Sequence, residues 1–239
     1  ERGRVFLVCP RTPPKAGQSG KFPFLGTACG KFHQTLHAFG REIVGPHLAG
    51  FQARFPDIRL DVRIGSGQPD LIRDAIDIAV FVGSAADSDL IRQQLIDTPL
   101  IWIAAPDVAA RLPQDAAPEE LASLVRVAET RYAGSSLSVS DDRHGARRVT
   151  LDPRQMMQVN DPIVLREIVL SGGGLSFAPN IYCRAAIAEG GLVQLYPHIH
   201  IREESSLSLL YPGRRLVPKK TQAFMDFLRS VCARQHDLS

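Results

Sequence analysis

Between Asp70 and Gly83 the chain reads DLIRDAIDIAVFVG, where apolar residues at helical spacing run straight into residues apolar at nearly every position. Asp70 can cap a short helix, and Leu71, Ile72 and Ala75 give it one apolar side. Ile76, Ile78, Ala79, Val80, Phe81 and Val82 then form a near-continuous run, the pattern of a strand covered on both faces at the centre of a parallel sheet. Gly83 ends that strand at the edge where an open α/β sheet places its ligands.

The same reading extends both ways. Residues 31–38 alternate loosely as a strand, and Phe39–Gly40 turns into a helix with Ile43, Val44, His47, Leu48, Phe51 and Phe55 on one face. Gly45–Pro46 marks its first full turn, where proline is tolerated. Ile58, Leu60, Val62 and Ile64 alternate with charged neighbours as a second strand, and GSGQPD at 65–70 turns. Beyond ADSD at 86–89, the pattern assigns no type to residues 90–95, and the apolar LIWIAAP follows at 100–106. Strand, helix, strand, helix, strand is the order of a doubly wound unit.

After Pro106, short helices are predicted at 107–112 and 118–123 and a strand at 124–129. Residues 134–148 read as a hairpin or loop, with extended pieces at 149–151 and 156–159. Asp161–Pro162 opens a helix at its favoured N-cap and N1 positions, with Ile163, Leu165, Ile168, Val169 and Leu170 as its apolar side. Residues 172–174, GGG, close it. They follow a helix, at the negative end of its dipole, so they predict a C-cap and tight turn rather than a phosphate loop. A strand at 175–179, a helix at 181–188, strands through 192–195, IHIR and LSLLYP, and a last helix over 221–233 complete a second βαβ unit. Two lobes are the economical architecture.

Composition narrows the function. With 44% apolar and 22% charged residues over 239 positions, the chain is an ordinary globular one. No stretch reaches the roughly 18 consecutive apolar residues that span a bilayer, so no membrane partner is expected. The +3 net charge is local. Residues 1–29 hold Arg2, Arg4, Arg11, Lys15 and Lys21 against Glu1, which leaves the remainder at −1. A body without a basic excess does not grip phosphates over a broad face. Residues 1–29 themselves, rich in Pro, Gly, Lys and Arg, read as a flexible basic arm or linker remnant. Cys9, Cys29, Cys183 and Cys232 form no CxxC pair, which fits free thiols in a reducing cytoplasm, and no secretory signal is present.

The order of segments resembles the effector-binding domain of LysR-type transcription regulators. The resemblance is carried by FGREIVGPHLAGFQARFPDIRLDV (39–62), DLIRDAIDIAVFVG (70–83), DSDLIRQQL (87–95), APDVAARL (105–112), VNDPIVLREIVLSGGGLSFAP (159–179), GGLVQL (190–195) and YPGRRLVPKKTQAFMDFL (211–228). It implies an α/β protein of two Rossmann-like lobes in the type-2 periplasmic-binding-protein fold. Lobe I would comprise residues 30–104 and 207–239, and lobe II residues 105–206, closing on a small organic effector, an aromatic acid among the options. Homodimers or homotetramers are implied, with the helix at 43–55 of one chain against the helix at 161–170 of another. DNA would be bound only through a winged-helix domain. Three helices of about 11–12 residues each do not fit in residues 1–29, so an excised or naturally truncated regulatory domain is expected, excision being favoured.

Two departures from the family matter. A cation is common where Phe81 stands, so its loss favours an apolar or aromatic effector over a strongly anionic one. The stretch FHQTLHA also lacks the Ser that many members carry at the mouth of the first strand, with Thr35 and His37 as its nearest polar substitutes.

Strand ends in this architecture select His37, Ala38, Phe39, Ser66, Gly67, Phe81, Val82 and Gly83 from lobe I, and Thr130, Arg131, Asn160 and Asp161 from lobe II, as effector-binding residues. Arg131 is the cation for a carboxylate effector, unless it is a solvated loop charge. Asn160 and Asp161 read first as helix caps and second as ligand contacts. His198 and His200 share a strand face but lack a third ligand at metal spacing, and His33 and His37 read as core-edge residues. No catalytic signature, metal site or cofactor motif is present, so the expected function is inducer sensing and not catalysis. The alternatives are the solute-binding protein of a transporter, which shares the fold, and an enzyme built on the same scaffold.

Overall fold

The apolar run that ends at Val82 is a central strand, and the elements around it divide into two units. The computed structural model describes residues 2–9, 37–66, 71, 76–82, 90–143, 145–203, 205–213 and 217–236. One unit comprises Glu1–Asp97 and Ser206–Asp237, the other Thr98–Ser205.

The sheet of the first unit is built from β1 (Arg2–Cys9), β2 (Arg59–Ser66), β3 (Ile78–Val82), β4 (Leu90–Ile96) and β13 (Leu207–Pro212), in the order β2-β1-β3-β13-β4. The flexible arm expected at 1–29 is corrected at its start. Arg2–Cys9 lies inside this sheet, parallel to β2 from Arg2↔Arg59 to Cys9↔Ser66 and to β3 from Val5↔Ile78 to Leu7↔Val80. Hydrogen bonds from both sides define this strand, and a short apolar run between charges and a proline does not announce them. Residues 10–29 lie outside the described residues, as do 31–36 of the strand expected at 31–38. His37 and Ala38 are helical. Leu90–Ile96, untyped in the sequence, pairs antiparallel with β13.

Helical backbone runs from His37 to Arg54, not from Gly45–Pro46. It is a π-helical turn over Phe39–Val44, a 3-10 turn over Gly45–His47, and helix α1 over Leu48–Arg54. Pro46 thus sits inside the helix, where it has no N–H to donate and its ring crowds the preceding turn. The local widening and tightening accommodate it. The Gly45 N–H closes the π turn on the Gly40 carbonyl, and a Cβ at Gly45 would stand 3.0 Å from that oxygen. Phe51 of α1 stacks edge-on against Phe224 (5.1 Å) and tilts against Phe227 (5.0 Å) of the C-terminal helix, Lys219–His236.

The second unit contains β5 (Leu100–Ala104), α2 (Pro106–Ala109), α3 (Pro118–Leu124), β6 (Val127–Glu129), β7 (Ser136–Asp141), β8 (Gly145–Thr150), β9 (Met157–Val159), α4 (Pro162–Leu170), β10 (Ser176–Pro179), α5 (Asn180–Ala188), β11 (Val193–Leu195) and β12 (Ile199–Ile201). Its main sheet runs β10-β5-β12-β7-β8, with β11 also on β5, and all these pairs are antiparallel. Residues 100–104, expected in lobe I, therefore belong to this unit, because every strand partner of β5 does. The division falls after Asp97 and after Ser205. At that point Thr98 Oγ1 donates to the Ser205 carbonyl, and Ser205 Oγ donates to the Thr98 carbonyl at 2.5 Å.

Trp102, Phe177, Leu121, Leu137 and Leu151 lie at the centre of the larger core, and Trp102 Nε1 donates to the Ile199 carbonyl at 2.9 Å. Ile103, Leu165, Val169, Ala178 and Cys183 form a second core under α4 and α5. α4 ends as predicted: Gly173 N–H bonds the Ile168 carbonyl at 2.9 Å, and Gly172 has φ +82°. A Cβ on Gly173 would fall 2.4 Å from the Ile168 side chain.

Candidate functional site

β6 and β9 form a separate two-stranded parallel sheet, so their carboxyl ends point the same way. Thr130 and Arg131 follow β6, and Asn160 and Asp161 follow β9, which brings all four predicted residues of this unit to one edge. The backbone N–H of Thr130 donates to the Val159 carbonyl at 2.7 Å, and its hydroxyl to the same oxygen at 3.1 Å. Thr130 and Asn160 are exposed.

Arg131 is not a solvated loop charge. Its side chain is 2% exposed, and Nη2 donates to Glu129 Oε1 at 2.9 Å, with Glu129 3% exposed. The guanidinium also lies 4.6 Å from the Tyr132 ring centroid. Burial holds the Glu129 carboxyl above the ordinary carboxylate range, partly offset by Arg131. Burial likewise raises the Tyr132 phenol, whose hydroxyl has no hydrogen-bond partner among the described residues. Glu129 and Tyr132 were not singled out from sequence. A Glu two residues before an Arg at the end of the strand-like VRVA was the available signal, since alternation puts both on one side.

Asp161 is a helix cap, the first of its two readings. Its Oδ1 accepts from Ile163 N at 2.8 Å and Val164 N at 3.2 Å, occupying the first free amides of α4. The two features of this edge that could hold an anion, the guanidinium and the helix N-terminus, are thus both engaged by the chain's own carboxylates.

In the first unit, Ser66 and Val82 end β2 and β3, with β1 between them. Gly67 and Gly83 lie outside the described residues. Ala38 and Phe39 have no solvent exposure, so neither presents its side chain to a ligand at the surface; the helical turn that begins there points them into the core. Phe81 is 8% exposed and packs with Leu71, Ile76, Ala79 and Leu210. His37 is half-buried, and its Nε2 has no hydrogen-bond partner among the described residues. His198 and His200 approach different carboxylates, Asp115 at 4.0 Å and Asp142 at 3.4 Å. Among the described residues no three His, Cys, Asp or Glu side chains converge as metal ligands, and no helix is long and apolar enough to cross a membrane.

Residues 34–233 match the family model of the LysR substrate binding domain, and the chain belongs to that family. β1 precedes the matched segment. The chain is 28% identical over 187 residues to the HTH-type transcriptional regulator PtxR of Pseudomonas aeruginosa, covering 78% of this chain and 59% of that protein. It is 27% identical over 187 residues to the regulator CrgA of Neisseria meningitidis, covering 78% and 62%. It therefore spans about three fifths of the length of these relatives. Among solved structures, the full-length Vibrio cholerae virulence activator AphB aligns with a TM-score of 0.68 at 20% identity, over 96% of this chain and 68% of that one. CrgA aligns at 0.67 and 24%, with the same coverage. The fold is the type-2 periplasmic-binding-protein fold of LysR-type regulatory domains.

Proposed function

We propose that the chain is the inducer-sensing domain of a LysR-type transcription regulator and binds a small organic effector. The observation that carries this reading is the convergence of Thr130, Arg131, Asn160 and Asp161 at one strand edge, inside a chain matched to the family over residues 34–233. Because Glu129 offsets the charge of the guanidinium and Asp161 caps the helix N-terminus, the effector is a neutral or weakly charged compound with an apolar body. Phe81, standing where a cation is common in the family, fits the same class.

The effector shifts a closure equilibrium by its differential affinity for the two states. The readout is the geometry of a homodimer or homotetramer, and DNA is contacted through a winged-helix domain outside this chain. Val164 on α4 (49% exposed) and Met157 on β9 (56% exposed) are the apolar groups that a second copy would cover. The setting is cytoplasmic, and the domain performs no catalysis.

A thermal-shift screen of aromatic acids, their amides and alcohols, amino acids and sugars tests this reading, since a ligand that prefers the folded state raises the midpoint. Neutral aromatics are expected to raise it more than the matched carboxylates. Conversion of a bound compound to a product would overturn the sensor reading.

A further inference from the structure

The second unit's main sheet ends at β8, and among the described residues one helix, α3, packs against it but no further strand. Gly145, Ala146, Arg147 and Arg148 are consecutive exposed residues, and no further strand pairs with β8 among the described residues. The other end of the same sheet is closed: β10 is buried along its whole length and finishes in Pro179. β4, which ends the first unit's sheet, differs in carrying side-chain bonds from Gln93 to Arg229 of the C-terminal helix and from Arg92 to Ser208 of β13.

Neighbouring cations on this unit are neutralised, Arg143 by Asp115 at 2.7 Å and Arg154 by Asp152 at 2.9 Å. Arg147, Arg148 and Arg202 have no carboxylate partner among the described residues; Arg147 Nη1 donates to the Ala146 carbonyl. As consecutive strand residues, Arg147 and Arg148 project from opposite faces of the sheet. Arg148 stands opposite Ser138, and the row continues to Arg202, whose N–H bonds the Ser138 carbonyl. Ser136, Ser138, Ser140 and Thr150 share that face, so hydroxyls flank the guanidiniums.

We propose that the β8 edge is a docking site for an extended acidic segment of a partner protein, added as one more strand. Backbone groups of β8 supply the pairing, Arg147 releasing the Ala146 carbonyl as it turns to the partner, and an added strand with adjacent acidic residues meets Arg147 on one face and Arg148 on the other. A second copy of the chain is disfavoured, because an antiparallel β8 pair centred on Arg147 and Arg148 would set arginine against arginine. Nucleic acid is disfavoured because it would leave the strand's amides and carbonyls unused.

The test uses the whole chain and a short fluorescein-labelled peptide in which two adjacent glutamates are flanked by threonine and valine. Fluorescence anisotropy is expected to show saturable binding, weakened about tenfold or more by Arg147→Glu with Arg148→Glu, whose exposed positions leave the melting point unchanged. N-methylation of alternate peptide amides is expected to abolish binding in one of its two phases, and the lysine counterpart is expected not to bind. Absence of saturable binding, equal binding of both N-methylated peptides, or tighter binding of a random DNA duplex with the same variant dependence would each overturn the proposal.

Discussion

The two units bring opposite chemistry to their strand ends. In the first, Phe81 near the end of β3 is sunk among apolar neighbours, and Ala38 and Phe39, expected at a strand end, are buried in a helical turn. In the second, Glu129 and Arg131 are buried polar groups paired through Nη2, and Asp161 accepts from the backbone of α4. A residue at a strand's carboxyl end is therefore not open to a ligand on that account. Each such position also answers to packing or to an internal charge, and the two units resolve that demand differently.

The largest expected effect separates a pair from a lone charge. Glu129→Leu leaves the Arg131 guanidinium buried without its carboxylate and is expected to cost about 3–5 kcal/mol, while Glu129→Leu combined with Arg131→Met restores most of it. Urea titrations of both variants decide this; equal losses in the two would show that packing, not charge, governs the second unit. In the first unit, Phe81→Ala should cost about 3 kcal/mol by the same measurement, as expected of a buried aromatic. A loss near zero would mean that Phe81 faces solvent or ligand rather than core. Asp161→Ala removes a cap and is expected to cost about 1 kcal/mol, with Asp161→Asn recovering part of it. If the loss is absent but effector affinity falls, Asp161 belongs to the ligand.

The smallest effect concerns reactivity. Burial pushes the Cys183 and Cys232 thiols up to about 12, so at pH 8 almost no thiolate is present. With Cys9 and Cys29 replaced by serine, labelling by a disulfide reagent should be negligible in the folded protein and complete once it unfolds. Fast labelling of the folded protein would show that one of these cores opens.

What the sequence revealed was mostly local. Asp161–Pro162 announced α4 and the glycines at 172–174 its end, because cap and stop chemistry acts within a turn. The short helices expected at 107–112 and 118–123 are α2 and α3, which the structure starts at Pro106 and Pro118. β1 was illegible because its identity lies in two partners, both more than fifty residues away in register. β5 was assigned to the wrong unit for the same reason: an apolar strand does not say which sheet it joins. The grouping of Thr130, Arg131, Asn160 and Asp161 could be anticipated, but not that Glu129 closes the guanidinium, since burial of both charges is a tertiary outcome.

Pro46 has an effect upstream of itself. A π turn takes up more residues than an α turn, and each residue of helix corresponds to about 100° of rotation around the axis. The widened turn before Pro46 therefore fixes the azimuth of everything N-terminal to Gly45. Ala38, Phe39 and Gly40 are all buried in that phase, so the imino acid acts as the indexing pin for a first turn packed on three consecutive residues.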